Sequence, residues 1–206
     1  MPQPIKTGLL CVPALDDEAL AAVGNTLRAR VAGCVVMLER SVGGQRHALE
    51  DILVRWCDEE ELDLVITLGG TLPAPGPSGR EVTPEVTLAV LERTLPGFAE
   101  AMRAYAQEQT ALALLDRGVV GIRGRTLVIN LPAGAAPGVL FLEAVVDLIP
   151  AVLAYLREDE DRPRMEDELI LHHEDETQAL PQSGAQAMGK GLDAAEFADF
   201  LRRKRA

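Results

Sequence analysis

Two rhythms of apolar positions alternate along residues 6–68. Lys6 to Val12 is an apolar run of strand length. Leu20, Val23, Leu27 and Val31 then recur at three- and four-residue steps, the period of one helix face, with Asp16 and Asp17 ahead as caps and Gly33 behind as a stop. Cys34 to Glu39 is a second, Val-rich strand. After Gly43-Gly44, a stripe of Leu49, Ile52, Leu53 and Trp56 marks a second helix, whose outer face carries Glu50, Asp51, Asp58 and Glu59. Asp63 to Leu68 is a third strand. This alternation predicts a parallel sheet covered by helices, and the near-continuous apolar strands predict burial on both faces.

The third strand runs into Gly69-Gly70-Thr71 and a stretch dense in Pro and Gly from Pro73 to Gly79. Thr83-Pro84-Glu85 opens the next helix, with Thr83 as N-cap, Pro84 at the first helical position and an acid in the first turn, at the positive end of the helix dipole. That helix is expected to reach Leu95-Pro96-Gly97, and a further one to run from Phe98 to Asp116, closed by Gly118. Val119 to Arg123 and Arg125 to Leu131 read as two strands hinged at Gly124. Pro132 to Gly138 is a loop, and Val139 to Leu156 a buried helix, since Glu143, Asp147 and Pro150 interrupt it as a membrane span.

Composition changes this picture at one place. Ten of the nineteen residues from Glu158 to Glu176 are acidic, Gln182 to Gly191 is small and polar, and Leu192, Phe197, Phe200 and Leu201 mark a short amphipathic helix ending in Arg202-Arg203-Lys204-Arg205. Residues 157–206 hold 8 basic and 13 acidic side chains, net −5, and residues 1–156 hold 12 and 19, net −7. The domain expected is therefore 1–156, with 157–206 an acidic linker and helical extension. The total of −12 argues against phosphate-tracking nucleic-acid binding and against anionic membranes. Cys11, Cys34 and Cys57 form no C-x-x-C and no zinc spacing with His47, His172 and His173, so they read as reduced thiols of a cytoplasmic protein. The His172-His173 pair reads as part of a solvated tail, His47 as an exposed helix-start residue and Trp56 as core.

In an open parallel sheet, ligands bind beyond the carboxyl ends of the strands. Two loops qualify. Gly69-Gly70-Thr71 can bring backbone N–H groups to an anion, with the Thr71 hydroxyl, the Arg80 charge and the helix start at Thr83 nearby. Asn130-Leu131-Pro132-Ala133-Gly134 is a second strand end opening into a helix. Neither loop is a P-loop or a G-x-G-x-x-G.

Taken in order, Thr67, Gly69-Gly70-Thr71, Arg80-Glu81-Val82-Thr83-Pro84-Glu85-Val86-Thr87, Leu95-Pro96-Gly97-Phe98, Gly121-Ile122-Arg123-Gly124 and Asn130-Leu131-Pro132 resemble the MogA/MoaB family of molybdenum-cofactor biosynthesis proteins. The resemblance runs from Ile5 to Leu156. It implies a three-layer α/β/α sandwich with a mostly parallel sheet, often trimeric, that binds molybdopterin. It also implies, in active members, use of ATP and Mg²⁺ to adenylylate the pterin's terminal phosphate. Carried over residue by residue, it assigns ligand contacts to Thr67, Gly69, Gly70, Thr71, Arg80, Thr83, Asn130, Leu131, Pro132 and Gly134, and the catalytic and metal-binding acid to Glu81. The departures are chemical. The family's R-D reads Arg80-Glu81, its V-P-D loop reads Ser41-Val42-Gly43-Gly44-Gln45 without a carboxylate, and its N-L-P-G-S-P-K ends in Ala135-Ala136 without the lysine. Asp16 and Asp17 could replace a lost carboxylate or simply cap their helix. The leading expectation is molybdopterin binding with adenylyl transfer. The alternative is a non-catalytic paralogue serving as a pterin-binding or assembly module, and an unrelated nucleotide-using enzyme is a third reading.

Overall fold

The structure, a computed structural model, describes residues 3–73, 82–159 and 162–165. Arg80, Glu81, most of the Pro/Gly stretch before them, His172-His173, the acidic run from residue 166 and the terminal amphipathic segment lie outside the described residues. Met1–Pro163 form one compact unit.

Six strands build its sheet: β1 (Ile5–Cys11), β2 (Cys34–Ser41), β3 (Leu64–Leu68), β4 (Arg93–Thr94), β5 (Val120–Arg123) and β6 (Thr126–Leu131), in the order β2-β1-β3-β6-β5-β4. The three pairings among β2, β1, β3 and β6 are parallel, while β5 pairs antiparallel with both β6 and β4. Among the described residues six α-helices accompany them: α1 (Asp17–Arg30), α2 (Arg46–Asp58), α3 (Thr83–Val90), α4 (Pro96–Gln107), α5 (Ala135–Glu143) and α6 (Ile149–Leu156).

Strand side chains alternate between two cores, as the two-residue period of a strand requires. Leu9, Leu64, Ile66, Leu127 and Ile129 pack with Val23 and Leu27 of α1, Met102 of α4, and Phe141 and Leu142 of α5. Leu10, Val65 and Val128 face the other way, onto Leu49, Leu53 and Trp56 of α2 and Val86 and Val90 of α3. The result is the three-layer α/β architecture. Asp16 caps α1 by accepting from the Ala19 N–H at 2.9 Å, and Asp17 and Glu18 occupy its first turn. Among the described residues no single helix is long and apolar enough to cross a membrane.

Five local expectations are corrected. The helix opened at Thr83 stops at Val90, because Glu92 and Leu95 donate to Ile122 and Val120 of β5 and draw the chain into the edge strand β4. Val82, not Thr83, is the residue ahead of that helix, and it makes no side-chain cap. The helix expected up to Asp116 ends at Gln107, and Thr110 instead caps a separate 3₁₀ turn, Ala111–Leu115. The last helix starts earlier, at Ala135, and divides into α5 and α6, with Pro150 in the first turn of α6 where its missing N–H costs nothing. Finally, β2 is not buried on both faces: it is the outer strand beside β1, and Val35 and Met37 are exposed along it.

Candidate functional site

Parallel pairing in register sets Cys11 beside Leu68 and Leu68 beside Leu131, so β1, β3 and β6 end at one level. The loops that leave them are tied together by their own backbones. The Val12 N–H donates to the Leu68 carbonyl at 2.8 Å, and the Gly69 N–H to the Leu131 carbonyl at 2.9 Å. Beside these crossings lies a cavity of about 420 Å³, lined by Pro13, Asp16, Asp17, Leu68, Ala133 and Gly134 among others. The Val12–Pro13 peptide in its wall is cis.

The two glycines after β3 are required by sterics. Gly69 has φ +104°, and a Cβ there would overlap the Val12 carbonyl oxygen. Gly70 has φ +69°, and its Cβ would overlap Thr83 Oγ1. L residues other than glycine rarely hold such angles, so the loop sits directly on the Val12 carbonyl on one side and on the Thr83 side chain on the other. Thr83 Oγ1 is itself buried with no hydrogen-bond partner among the described residues.

The remaining residues expected here divide by burial. Thr67, Asn130 and Leu131 are wholly buried. The Asn130 amide donates to Thr67 Oγ1 at 2.9 Å and to Thr87 Oγ1 at 3.0 Å, and its oxygen accepts from the Val119 N–H at 3.2 Å. That side chain is satisfied by protein and serves to lock β6 to β3, α3 and the start of β5. Pro132 is buried, and Gly134, at φ +93°, is the residue ahead of α5 on the cavity wall. Thr71 is buried, and its hydroxyl donates to Asp116 Oδ2. The structure therefore brings Gly69, Gly70, Thr71 and Thr83 into one contact set, with Gly134 on the cavity beside them.

Asp116 is the residue that sequence reasoning missed. It is 4% exposed and accepts from the Gly118 N–H at 2.8 Å as well as from Thr71. Burial raises its carboxyl above the usual range, against the opposing pull of the two hydrogen bonds and of the Arg103 charge. In sequence it is an acid between an apolar turn and Arg117-Gly118, the signature of any turn. Arg117 in turn pairs with Glu85 of α3.

Among the described residues, carboxylates at the strand ends are few. Asp16 has one oxygen committed to the α1 cap, Asp17 lines the cavity, and the Ser41–Gln45 loop carries none. No group of three His, Cys, Asp or Glu side chains gathers among the described residues. A Mg²⁺ ion that also binds substrate phosphates takes only one or two carboxylates, so this oxygen-only donor set fits it.

Comparison with known proteins gives this geometry a context. Residues 13–153 match the family described as "Probable molybdopterin binding domain". The chain is similar to a molybdopterin adenylyltransferase of Helicobacter pylori strain J99, 42% identical over 109 residues, which are 53% of this chain and 60% of that protein. It is 35% identical over 117 residues to the molybdopterin adenylyltransferase of Escherichia coli K12, covering 57% of this chain and 58% of that one. The match thus spans about 60% of the length of these curated relatives. Among solved structures, the molybdopterin biosynthesis enzyme MoaB from Thermus thermophilus superimposes with a TM-score of 0.65 at 36% identity, covering 74% of this chain and 96% of the other. The molybdopterin biosynthesis Mog protein from Mycobacterium ulcerans gives 0.66 at 26% identity, covering 75% and 99%. With a family match across most of its length, the chain belongs to the molybdopterin-binding-domain family that includes the MogA/MoaB proteins.

Proposed function

We propose that this chain acts in molybdenum-cofactor biosynthesis, binding molybdopterin at the carboxyl ends of β1, β3 and β6 and adenylylating its terminal phosphate with ATP. The observation that carries this reading is the Gly69-Gly70 crossing, where the loop backbone lies against the Val12 carbonyl and the Thr83 side chain beside a cavity of about 420 Å³. In the transfer, an oxygen of the pterin phosphate forms a bond to the α-phosphorus of ATP, and the bond from that phosphorus to the leaving pyrophosphate breaks. Two anions must approach, so the site needs donors that neutralise them before they meet. The Gly69 N–H is committed to Leu131, which leaves Gly70, Thr71 and the first turn of α3 as the backbone candidates, with Arg80 as the local cation. Thr67, Asn130 and Leu131 hold these loops from beneath. Glu81 is the catalytic and metal-binding acid of this reading, and Asp17 a second carboxylate for the same ion. Mg²⁺, when bound, supplies charge neutralisation between the phosphates.

Residues 1–156 form the molybdopterin-binding domain of this reading and 157–206 its appendage. Exposed Leu88, Tyr105, Leu112, Leu114 and Leu115 support self-association, read here as a trimer. Three free cysteines and a net charge of −12 support a cytoplasmic protein that engages neither nucleic acid nor membrane.

Incubating the full chain with molybdopterin, ATP and Mg²⁺ tests the proposal: pyrophosphate release is expected, and Glu81→Gln is expected to abolish it. Tight pterin binding without product would leave the non-catalytic paralogue as the correct reading. Absence of pterin binding would overturn both.

A further inference from the structure

We propose that Asp116 is a positioning residue for the molybdopterin site, tying the Gly69–Thr71 loop to the turn that precedes β5 so that the loop keeps its shape. This rests on the reading of that loop as the ligand's seat. The carboxylate uses both oxygens, one on the Thr71 hydroxyl and one on the Gly118 N–H at 2.8 Å. A second bond runs between the same two segments, from the Arg117 N–H to the Thr71 carbonyl at 3.0 Å. Arg103 of α4 anchors the turn from behind by donating to the Gly118 carbonyl at 3.1 Å, and Arg117 reaches across to Glu85 of α3. The turn has no spare room, since a Cβ at Gly118 would lie 2.7 Å from Asp116 Oδ1.

The arrangement changes what Thr71 can offer. Its hydroxyl proton points at Asp116 and its side chain is buried, so the loop meets a ligand through backbone rather than through that hydroxyl. A charged acceptor makes a stronger hydrogen bond than a neutral one, and holding that charge in a buried place is costly. The cost falls directly beneath the loop that needs to be rigid, which is where preorganisation serves binding.

The experiment uses the full chain in wild-type form and as Asp116→Ala, Asp116→Asn, Thr71→Val and Thr71→Ser. It reads amide hydrogen exchange together with molybdopterin affinity by fluorescence titration. Asp116→Ala and Thr71→Val are each expected to speed exchange at residues 69–71, leave the amides of Leu9 and Leu10 in β1 unchanged, and weaken molybdopterin by about tenfold or more. Thr71→Ser keeps the hydroxyl and should stay within about twofold of wild type. Asp116→Asn, which can still accept from Gly118 but keeps no charge, should fall between and keeps the test open if the alanine variant does not fold. Thr71→Val with Asp116→Ala should be no worse than the worse single change, because both remove the same bond. Unchanged exchange at 69–71, unchanged affinity in Asp116→Ala, or a Thr71→Ser loss equal to that of Thr71→Val would each overturn the proposal. A wild-type chain that binds no molybdopterin would overturn the functional reading instead, and the exchange measurement would then decide alone whether Asp116 holds the loop.

Discussion

At the carboxyl ends of β1, β3 and β6, the cavity of about 420 Å³ is walled by backbone, glycine and two acids. At the opposite end of the same strands, a cleft of about 510 Å³ is lined by Lys6, Cys57, Asp58, Asp63, Arg125 and Arg157 among others. The second is larger and far richer in charge, yet two of its acids are already taken within the protein. Arg157 pairs with Asp63 at 2.9 Å, and Asp63 also accepts from the Lys6 backbone N–H at 2.7 Å. Asp58 on its rim is taken by Arg123. The smaller cavity has no such internal closure among the described residues and sits where α1 and α5 begin, so helix dipoles and loop backbone face it. On the proposed reading, converging backbone rather than charge density marks the ligand's seat.

Gly69→Ala should break the contrast most sharply. The left-handed φ and the Val12 carbonyl leave no place for a methyl group, so molybdopterin binding should fall by about 100-fold in a fluorescence titration. Binding like that of wild type would remove the glycine crossing from the site. Arg157→Ala acts at the other end and strands Asp63, whose side chain is 16% exposed. Chemical denaturation should report a loss of about 1–2 kcal/mol, with molybdopterin affinity unchanged. A loss of affinity there would erase the distinction between the two ends.

Asp58→Asn should cost less than about 1 kcal/mol, since Asp58 itself is exposed and the pair is screened. The pH dependence has a definite sign. The Arg123 guanidinium holds the Asp58 carboxyl below its ordinary value. Its contribution is thus fully present above the unfolded carboxylate range and is lost as pH falls through the lowered folded value. Wild type and variant should converge in acid, and divergence there would show that the pair does not set the shift. The smallest effect concerns Cys57, which lines the charged cleft without being reactive. Burial pushes its thiol up to about 11, so at about pH 8 an alkylating reagent should modify the half-exposed Cys34 well before Cys57 or the buried Cys11. Mass spectrometry of a timed labelling series gives the order.

Much of this was legible in the chain itself. The stripes through Leu20, Val23 and Leu27 and through Leu49, Leu53 and Trp56 do lie on α1 and α2, because local periodicity and helix burial are the same fact seen twice. Asp16 does cap its helix, since capping is a bond between near neighbours in sequence. The strand β4 was not legible. Two residues carry no period, and only the donation of Glu92 and Leu95 to β5 makes them a strand. Pro150 was visible as a break, but whether it ends one helix or begins another depends on what α6 packs against. At the site, Gly69 and Gly70 stand out in sequence as a turn, whereas their necessity comes from Val12 and Thr83, which arrive from distant segments.

The amino-acid order by itself determined the α/β class, the helix faces, the strand-end loops and the resemblance that points to molybdopterin. Each depends on residues within a few turns or on motifs kept in sequence order. Only the tertiary structure decided which side chains those loops leave for a ligand. It buried Asn130 and turned Thr71 inward, and it put Asp116 beneath the loop from 45 residues away. The physical reason is that a hydroxyl, an amide and a carboxylate bond to whichever donors and acceptors come within reach. Which ones those are depends on distance in space, and only folding creates that distance.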